Sequence, residues 1–181
     1  MKIRIKYHGI VELIQHGNWI DLSSTDTYEF HAPKIITDVN GNNIVKFDTQ
    51  MINLGISLDL PKHFEANIVP RSSLLKKQGL IQGNHFGVID GGTNKSIGIE
   101  CSDKVGQGYT GNDDIWYFPA IALQATKILP NQPICQFSIR PSMNAPIWTK
   151  LKWLFTSKIK FIEVDNLNSN NRGGFGTSDK K

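Results

Sequence analysis

Alternation with a period of two opens the chain, with Ile3, Ile5 and Tyr7 set between Lys2, Arg4 and Lys6. That pattern predicts a strand with one face in a core. Further short apolar runs lie at residues 44–47, 51–60, 66–69, 115–123 and 159–164, separated by turn signals such as residues 38–41 and Pro61. Short runs punctuated this often predict an all-β sandwich or barrel. Pro119, inside one run, predicts an edge strand or a bulge. Two short helical segments are expected. Residues 72–78 run up to Gly79 as a helix does to its C-terminus. Trp148, Leu151, Leu154 and Phe155 recur at helical spacing with Lys150 and Lys152 between them, predicting a short amphipathic helix packed on the body or, alternatively, a partner or nucleic-acid patch. From Asn166 the chain is rich in Asn, Ser and Gly, the composition of a mobile arm.

A chain of 181 residues, 39% hydrophobic and 20% charged, is long enough for one core and short for two. The organisation expected is one β domain over residues 1–165, with an arm over 166–181. No apolar run is long enough to span a bilayer, and the first residues alternate where a signal peptide would be continuously apolar, so the expected place is the cytoplasm. Cys101 and Cys135 are too few for a disulfide framework and read as plain thiols. The net charge of +4 is spread along the chain, which suits a small anionic substrate as well as a nucleic acid. The five histidines show no metal-binding pair at helical or hairpin spacing.

Residues 70–90, PRSSLLKKQGLIQGNHFGVID, carry the most chemistry. Arg71, Ser72 and Ser73 offer a guanidinium fork and hydroxyls suited to phosphate oxygens, and Ser72 or Ser73 capping the helical turn would leave amides for the same purpose. Asp90 follows Val88 and Ile89, whose desolvation would make it a base of useful strength. Taken singly, each reads as a turn residue. Anion grip, Asn84 amide and Asp90 carboxylate in this order suggest chemistry on a nucleotide phosphate.

The same stretch resembles the second and third motifs of the trimeric dUTPase family, PRSxL and NxxGxID. Four further segments resemble the remaining motifs in the family's order: GNWIDL from Gly17, GYTG from Gly108, ICQF from Ile134 and NRGGFGTS from Asn171. WIDL, GNDDIWYFPA and NRGGFG look most like the branch of Gram-positive bacteria and their phages. Two segments, about 91–107 and 141–158, read as insertions. Tyr109 is taken as the third motif's aromatic, because its spacing to Gln136 suits the family and Thr93, the ungapped alternative, cannot stack. Pro133 stands where the family usually has an arginine.

The resemblance implies a jelly-roll-like fold, a homotrimer with sites at subunit interfaces, and hydrolysis of dUTP to dUMP and diphosphate with Mg²⁺. It implies Asp90 as the group activating water, with Ser72, Ser73 and Gln136 on the phosphates, Arg71 ordering either the subunit interface or the phosphate, Asn84 on the base and Tyr109 against the deoxyribose. Phe175 would stack on uracil and Arg172 reach the terminal phosphate from an arm that closes over a neighbouring subunit. Asp21 reads either as a structural acceptor for backbone amides or as a group orienting metal-bound water. Asp113 and Asp114 read as a solvated acidic edge or part of that water shell. Two rivals stand beside this reading: a dUTP-gated binding protein whose insertions hold a protein partner, and a dCTP deaminase. The latter needs a glutamate after the GVID segment, and Glu100 lies instead within the first insertion.

Overall fold

The computed structural model describes residues 1–92, 108–156 and 158–173. In chain order its strands are β1 (Lys2–Tyr7), β2 (Ile14–His16), β3 (Trp19–Ser23), β4 (Tyr28–Phe30), β5 (Lys34–Thr37), β6 (Asn43–Lys46), β7 (Thr49–Asn53), β8 (Ile56–Asp59) and β9 (Phe64–Pro70). After helix α1 (Leu74–Gln78) come β10 (Leu80–Gln82), β11 (Gly87–Asp90), β12 (Tyr117–Ala122), β13 (Thr126–Ile128) and β14 (Pro133–Pro141), then helix α2 (Ile147–Leu154) and β15 (Lys160–Glu163). The chain is all-β with short helical segments, as expected. No helix among the described residues is long and apolar enough to cross a membrane.

A five-stranded sheet in the order β11-β9-β14-β3-β2 carries most of the motif residues. Two three-stranded sheets, β15-β1-β8 and β10-β12-β7, and the pairs β13-β4 and β5-β6 complete the body. Ile3 and Ile5 of β1 are buried, as their alternation predicts. They join Leu22, Ile52, Ile56, Leu58, Phe118 and Phe137 in one core. Trp116 meets Phe137 edge to face at 5.2 Å, a geometry that sets a ring's positive rim on its neighbour's face. The last strand, β15, runs parallel to β1.

Three sequence expectations change here. The run 51–60 is two strands in different sheets, because the chain turns at Gly55, with φ +67°. A Cβ there would press on Thr25 and Val11. Pro119 lies in β12, the middle strand of its sheet, not at an edge. Its carbonyl accepts from Gly83 N at 2.8 Å, just past the end of β10, so its missing N–H falls where the partner strand has stopped. Helix α2 forms, but its packed residue is Trp153, edge to face with Phe64 at 5.6 Å. Trp148, Leu154 and Phe155 are 77%, 74% and 86% exposed; the apolar stripe expected to face the body is turned outward.

Candidate active site

Strand β11 lies against β9 with Asp90 opposite Glu65 and Gly87 opposite Ile68. A turn of four residues links β10 to β11, with His85 in the left-handed region and its amide donating to Gln82 O at 3.2 Å. Above this hairpin opens a cavity of about 290 Å³, its lining including Asn84, Val88, Ile89, Tyr109, Asp114 and Trp116. Asn84 is exposed and free to meet a ligand there, so the predicted base-reading amide and sugar-stacking aromatic share one wall.

Tyr109 donates its backbone N–H to the carbonyl of Asp90 at 2.8 Å. The two residues are therefore joined directly, an arrangement in keeping with Tyr109 as the predicted aromatic of the third motif. Gly108 packs against the backbone of Gly91 and Gly92, where a Cβ would come within 2.6 Å of Gly92 N. Thr93, Glu100 and Cys101 lie outside the described residues. Asp90 is half-buried, and its Oδ1 accepts from Gly92 N at 2.8 Å, an anchoring bond that leaves Oδ2 for a water. The apolar shield expected from Val88 is lacking, since that side chain is 47% exposed.

The residues predicted to grip phosphate gather elsewhere. Arg71 pairs with Asp21, and Asp21 lies opposite Gln136 in the β3–β14 ladder. The Asp21 carboxylate is buried, with His16 Nε2 at 3.4 Å. Among the described residues it accepts from a guanidinium, where the structural reading expected backbone amides. Ser72 is exposed and Ser73 half-buried. Ser73 stands at the N-cap of α1 without a side-chain capping bond, so the capping expected of either serine is not made. Arg71 and Ser73 line a depression of about 330 Å³ with Lys77, Gln78 and Gln132. Pro133 begins β14, where the register with β3 shifts, a position that tolerates a missing N–H. Cys135 beside it is buried, and burial, with Asp21 adding to it, holds its thiol protonated well above the ordinary range.

These two groups are set apart along β9. Asp90 stands opposite Glu65 and Gln136 opposite Val69, which at the strand's rise per residue is a separation of roughly 13 Å, with Arg71 farther on. One chain therefore holds the predicted site residues as two candidate half-sites, Asn84, Asp90 and Tyr109 in one and Arg71 and Gln136 in the other.

The start of the C-terminal arm is tied to the first half. Asn112 Oδ1 accepts from Leu167 N at 2.8 Å, and Leu167 is buried. Asp113 pairs with the Asn171 side chain and donates its own N–H to Asn171 Oδ1 at 2.9 Å. Asp114 is not the solvated edge expected. It is 6% exposed and accepts from Gly111 N at 2.9 Å, Arg172 N at 3.0 Å and Gly173 N at 2.7 Å. The Arg172 guanidinium lies over the Tyr109 ring at 4.4 Å, a cation–π contact. Phe175 lies outside the described residues. Sequence reasoning missed the role of Asp114 and missed Gln82, although the period of two puts Gln82 on the buried face of Leu80.

A family model described as dUTPase matches residues 40–104, which contain Arg71, Ser72, Ser73, Asn84 and Asp90. The SPbeta prophage-derived deoxyuridine 5'-triphosphate nucleotidohydrolase YosS of Bacillus subtilis (strain 168) is 34% identical over 185 residues, spanning all of both chains. The chain belongs to the dUTPase family. Its fold is shared with the crystal structure of dUTPase from Streptococcus mutans, at TM-score 0.51 and 16% identity over 74% of this chain and 84% of that one. It is shared also with a variant dUTPase from phage phi11 of Staphylococcus aureus, at TM-score 0.53 and 12% identity over 80% and 93%. That phage structure is described as revealing the coordination of a structural Mg(II) ion. Among the described residues of this dUTPase-family chain, no group of three or more His, Cys, Asp or Glu side chains is arranged to hold a metal. Mg²⁺ commonly binds through one or two carboxylates, waters and substrate phosphates.

Proposed function

We infer that the protein hydrolyses dUTP to dUMP and diphosphate. The observation that carries this reading is the bond from Tyr109 N to Asp90 O, which ties the residue bearing the carboxylate to the aromatic that lines one cavity with Asn84. Asp90 Oδ2 takes a proton from water as the water oxygen attacks the α-phosphorus. The bond to the bridging oxygen breaks, and diphosphate leaves with charge stabilised by Arg71, Ser72 and Gln136. Ser73 lies beside them on the phosphate chain, and Arg172 and Phe175 reach the nucleotide from the arm. Mg²⁺, when bound together with the substrate, would supply charge neutralisation. Tyr109 lies flat on the deoxyribose and leaves no room for a 2′-hydroxyl, while Asn84 reads the base.

The separation of the half-sites along β9 supports a homotrimer in which one copy brings Asp90, Asn84 and Tyr109 and its neighbour brings Arg71, Ser72 and Gln136. Asp21 then serves by fixing Arg71. The test is pyrophosphate release from dUTP, dCTP, dTTP and UTP with Mg²⁺, for wild type and Asp90→Asn. Release confined to dUTP and lost in the variant upholds the reading; no release from any of the four overturns it.

A second role is favoured by α2, whose Trp148, Leu154 and Phe155 are exposed. Such a face suits a protein partner gated by dUTP. Comparing partner capture by the intact chain, by a chain lacking 91–107 and by one carrying Trp148→Ser and Phe155→Ser distinguishes the two insertions.

A further inference from the structure

Gln82 is the last residue of β10, and its side chain is buried. Its Nε2 donates to the main-chain carbonyl of Ile68 at 3.4 Å and to Asn84 Oδ1 at 2.7 Å. Its Oε1 is buried without a partner. Gly87 gives the amide room, since a Cβ there would lie 3.3 Å from Nε2 and 3.2 Å from Ile68 Cβ. A leucine would fill this place with no orphaned oxygen, so the amide is retained at a cost in polar satisfaction.

The bonds form a chain of forced choices. A main-chain carbonyl only accepts, and Ile68 O is fixed by the β9–β11 ladder. Turning the Gln82 amide over would set oxygen against oxygen, so its NH₂ must face Ile68 and Asn84. Asn84 must then present Oδ1 to Gln82, and its Nδ2 is left for the cavity. An unrestrained asparagine can turn over, donating to a carbonyl or accepting from an amino group equally well. Uracil and cytosine differ in this respect: uracil carries a carbonyl at position 4 and cytosine an amino group.

We propose that Gln82 is a specificity-determining positioning residue, which locks the Asn84 amide donor-outward and so makes it a reader of the 4-carbonyl of uracil. The inference rests on the uracil-nucleotide reading above, but not on turnover. Asn84 touches the base and Gln82 acts through it. Rejection of cytosine follows because its amino group would face a donor, leaving both unpaired.

The experiment is calorimetric titration of the full chain with dUMP and dCMP, alongside pyrophosphate release from dUTP and dCTP. The variants are Gln82→Leu, Gln82→Glu, Asn84→Ala and the combination of Gln82→Leu with Asn84→Ala. Gln82→Leu is expected to narrow the preference for dUMP over dCMP about tenfold, the loss of one oriented hydrogen bond, with the change in KM and not in kcat. Gln82→Glu accepts only, draws Asn84 Nδ2 toward itself, and is expected to move the preference further toward dCMP. In the Asn84→Ala background, Gln82→Leu is expected to leave the ratio unchanged. A purely structural role would weaken both ligands alike. An unchanged ratio in folded Gln82→Leu, or the same shift with Asn84 absent, overturns the proposal. If neither Gln82 variant folds, Gln82→Met, of nearly the same volume and shape, takes their place, and an unchanged ratio of dUMP to dCMP in it overturns the proposal. Wild type that prefers dUMP in a Gln82-dependent way yet releases no pyrophosphate would sink the hydrolase reading alone.

Discussion

Arg71 donates from Nη1 to Oδ2 of Asp21, joining residues fifty positions apart. The partners are unequally placed, since the Asp21 side chain is 4% exposed and that of Arg71 33%. Removing the arginine strands a carboxylate away from water, whereas removing the aspartate leaves a guanidinium that can still reach it. Arg71→Ala should therefore destabilise the fold more than Asp21→Ala, with the former costing about 3 kcal/mol. Urea denaturation of the two variants checks the order, and equal losses would contradict it.

Separation of the half-sites has a consequence for mixed assemblies. Asp90→Asn and Ser72→Ala chains should each be nearly inactive alone. Co-refolded in equal amounts, they should recover about a quarter of the wild-type rate if each trimer site draws these residues from different copies. A site built within one chain would recover nothing, because every copy carries a lesion.

Asp114 holds the beginning of the arm through three backbone amides, two of them from Arg172 and Gly173. Asp114→Ala should release that segment, seen as faster amide exchange at Arg172 and Gly173, and should raise KM for dUTP. Gly111→Ala tests the same contact sterically, since a Cβ there would collide with Asn171. If exchange at these amides is unchanged in both variants, the arm is held by other contacts.

His8 lies against Ser57, with its Nε2 2.9 Å from Oγ. Burial first, and Lys6 second, lower its pKa from the ordinary value of 6.5, while Asp113 and the Asn112 backbone oppose them. The folded protein thus favours the neutral ring. Its contribution is complete above pH 6.5 and is lost as pH falls through that value toward the lower folded one. Thermal melts of wild type should fall on acidification across this window, and His8→Gln should flatten that part of the curve. A wild-type curve no steeper than the variant's would remove His8 as the cause.

Local pattern was enough for much of the fold. The alternation of Ile3 and Ile5, the helical turn ending at Gly79 and the strand after residue 158 are visible because each is set by neighbours in sequence. The division at Gly55 was hidden, since Thr25 and Val11, which force it, are distant along the chain. In the site, Tyr109 was legible through its spacing to Gln136, and the backbone bond to Asp90 supports that alignment. The burial of Asp114 was not, because an Asp-Asp pair in a turn reads as solvated until the arm that covers it is placed. Trp148 and Leu154 misled for a related reason. Helical spacing says which residues share a face but not which way the face turns, and Phe64 had already engaged Trp153.

At the base of the first insertion, Asp90 and Tyr109 are hydrogen-bonded and Gly108 rests on Gly91 and Gly92. Whatever lies between these points need only have ends that meet, because the backbones of Asp90 and Tyr109 are joined to each other. Such a junction behaves as a socket. It offers a place to graft a reporter or a binding peptide between Asp90 and Tyr109.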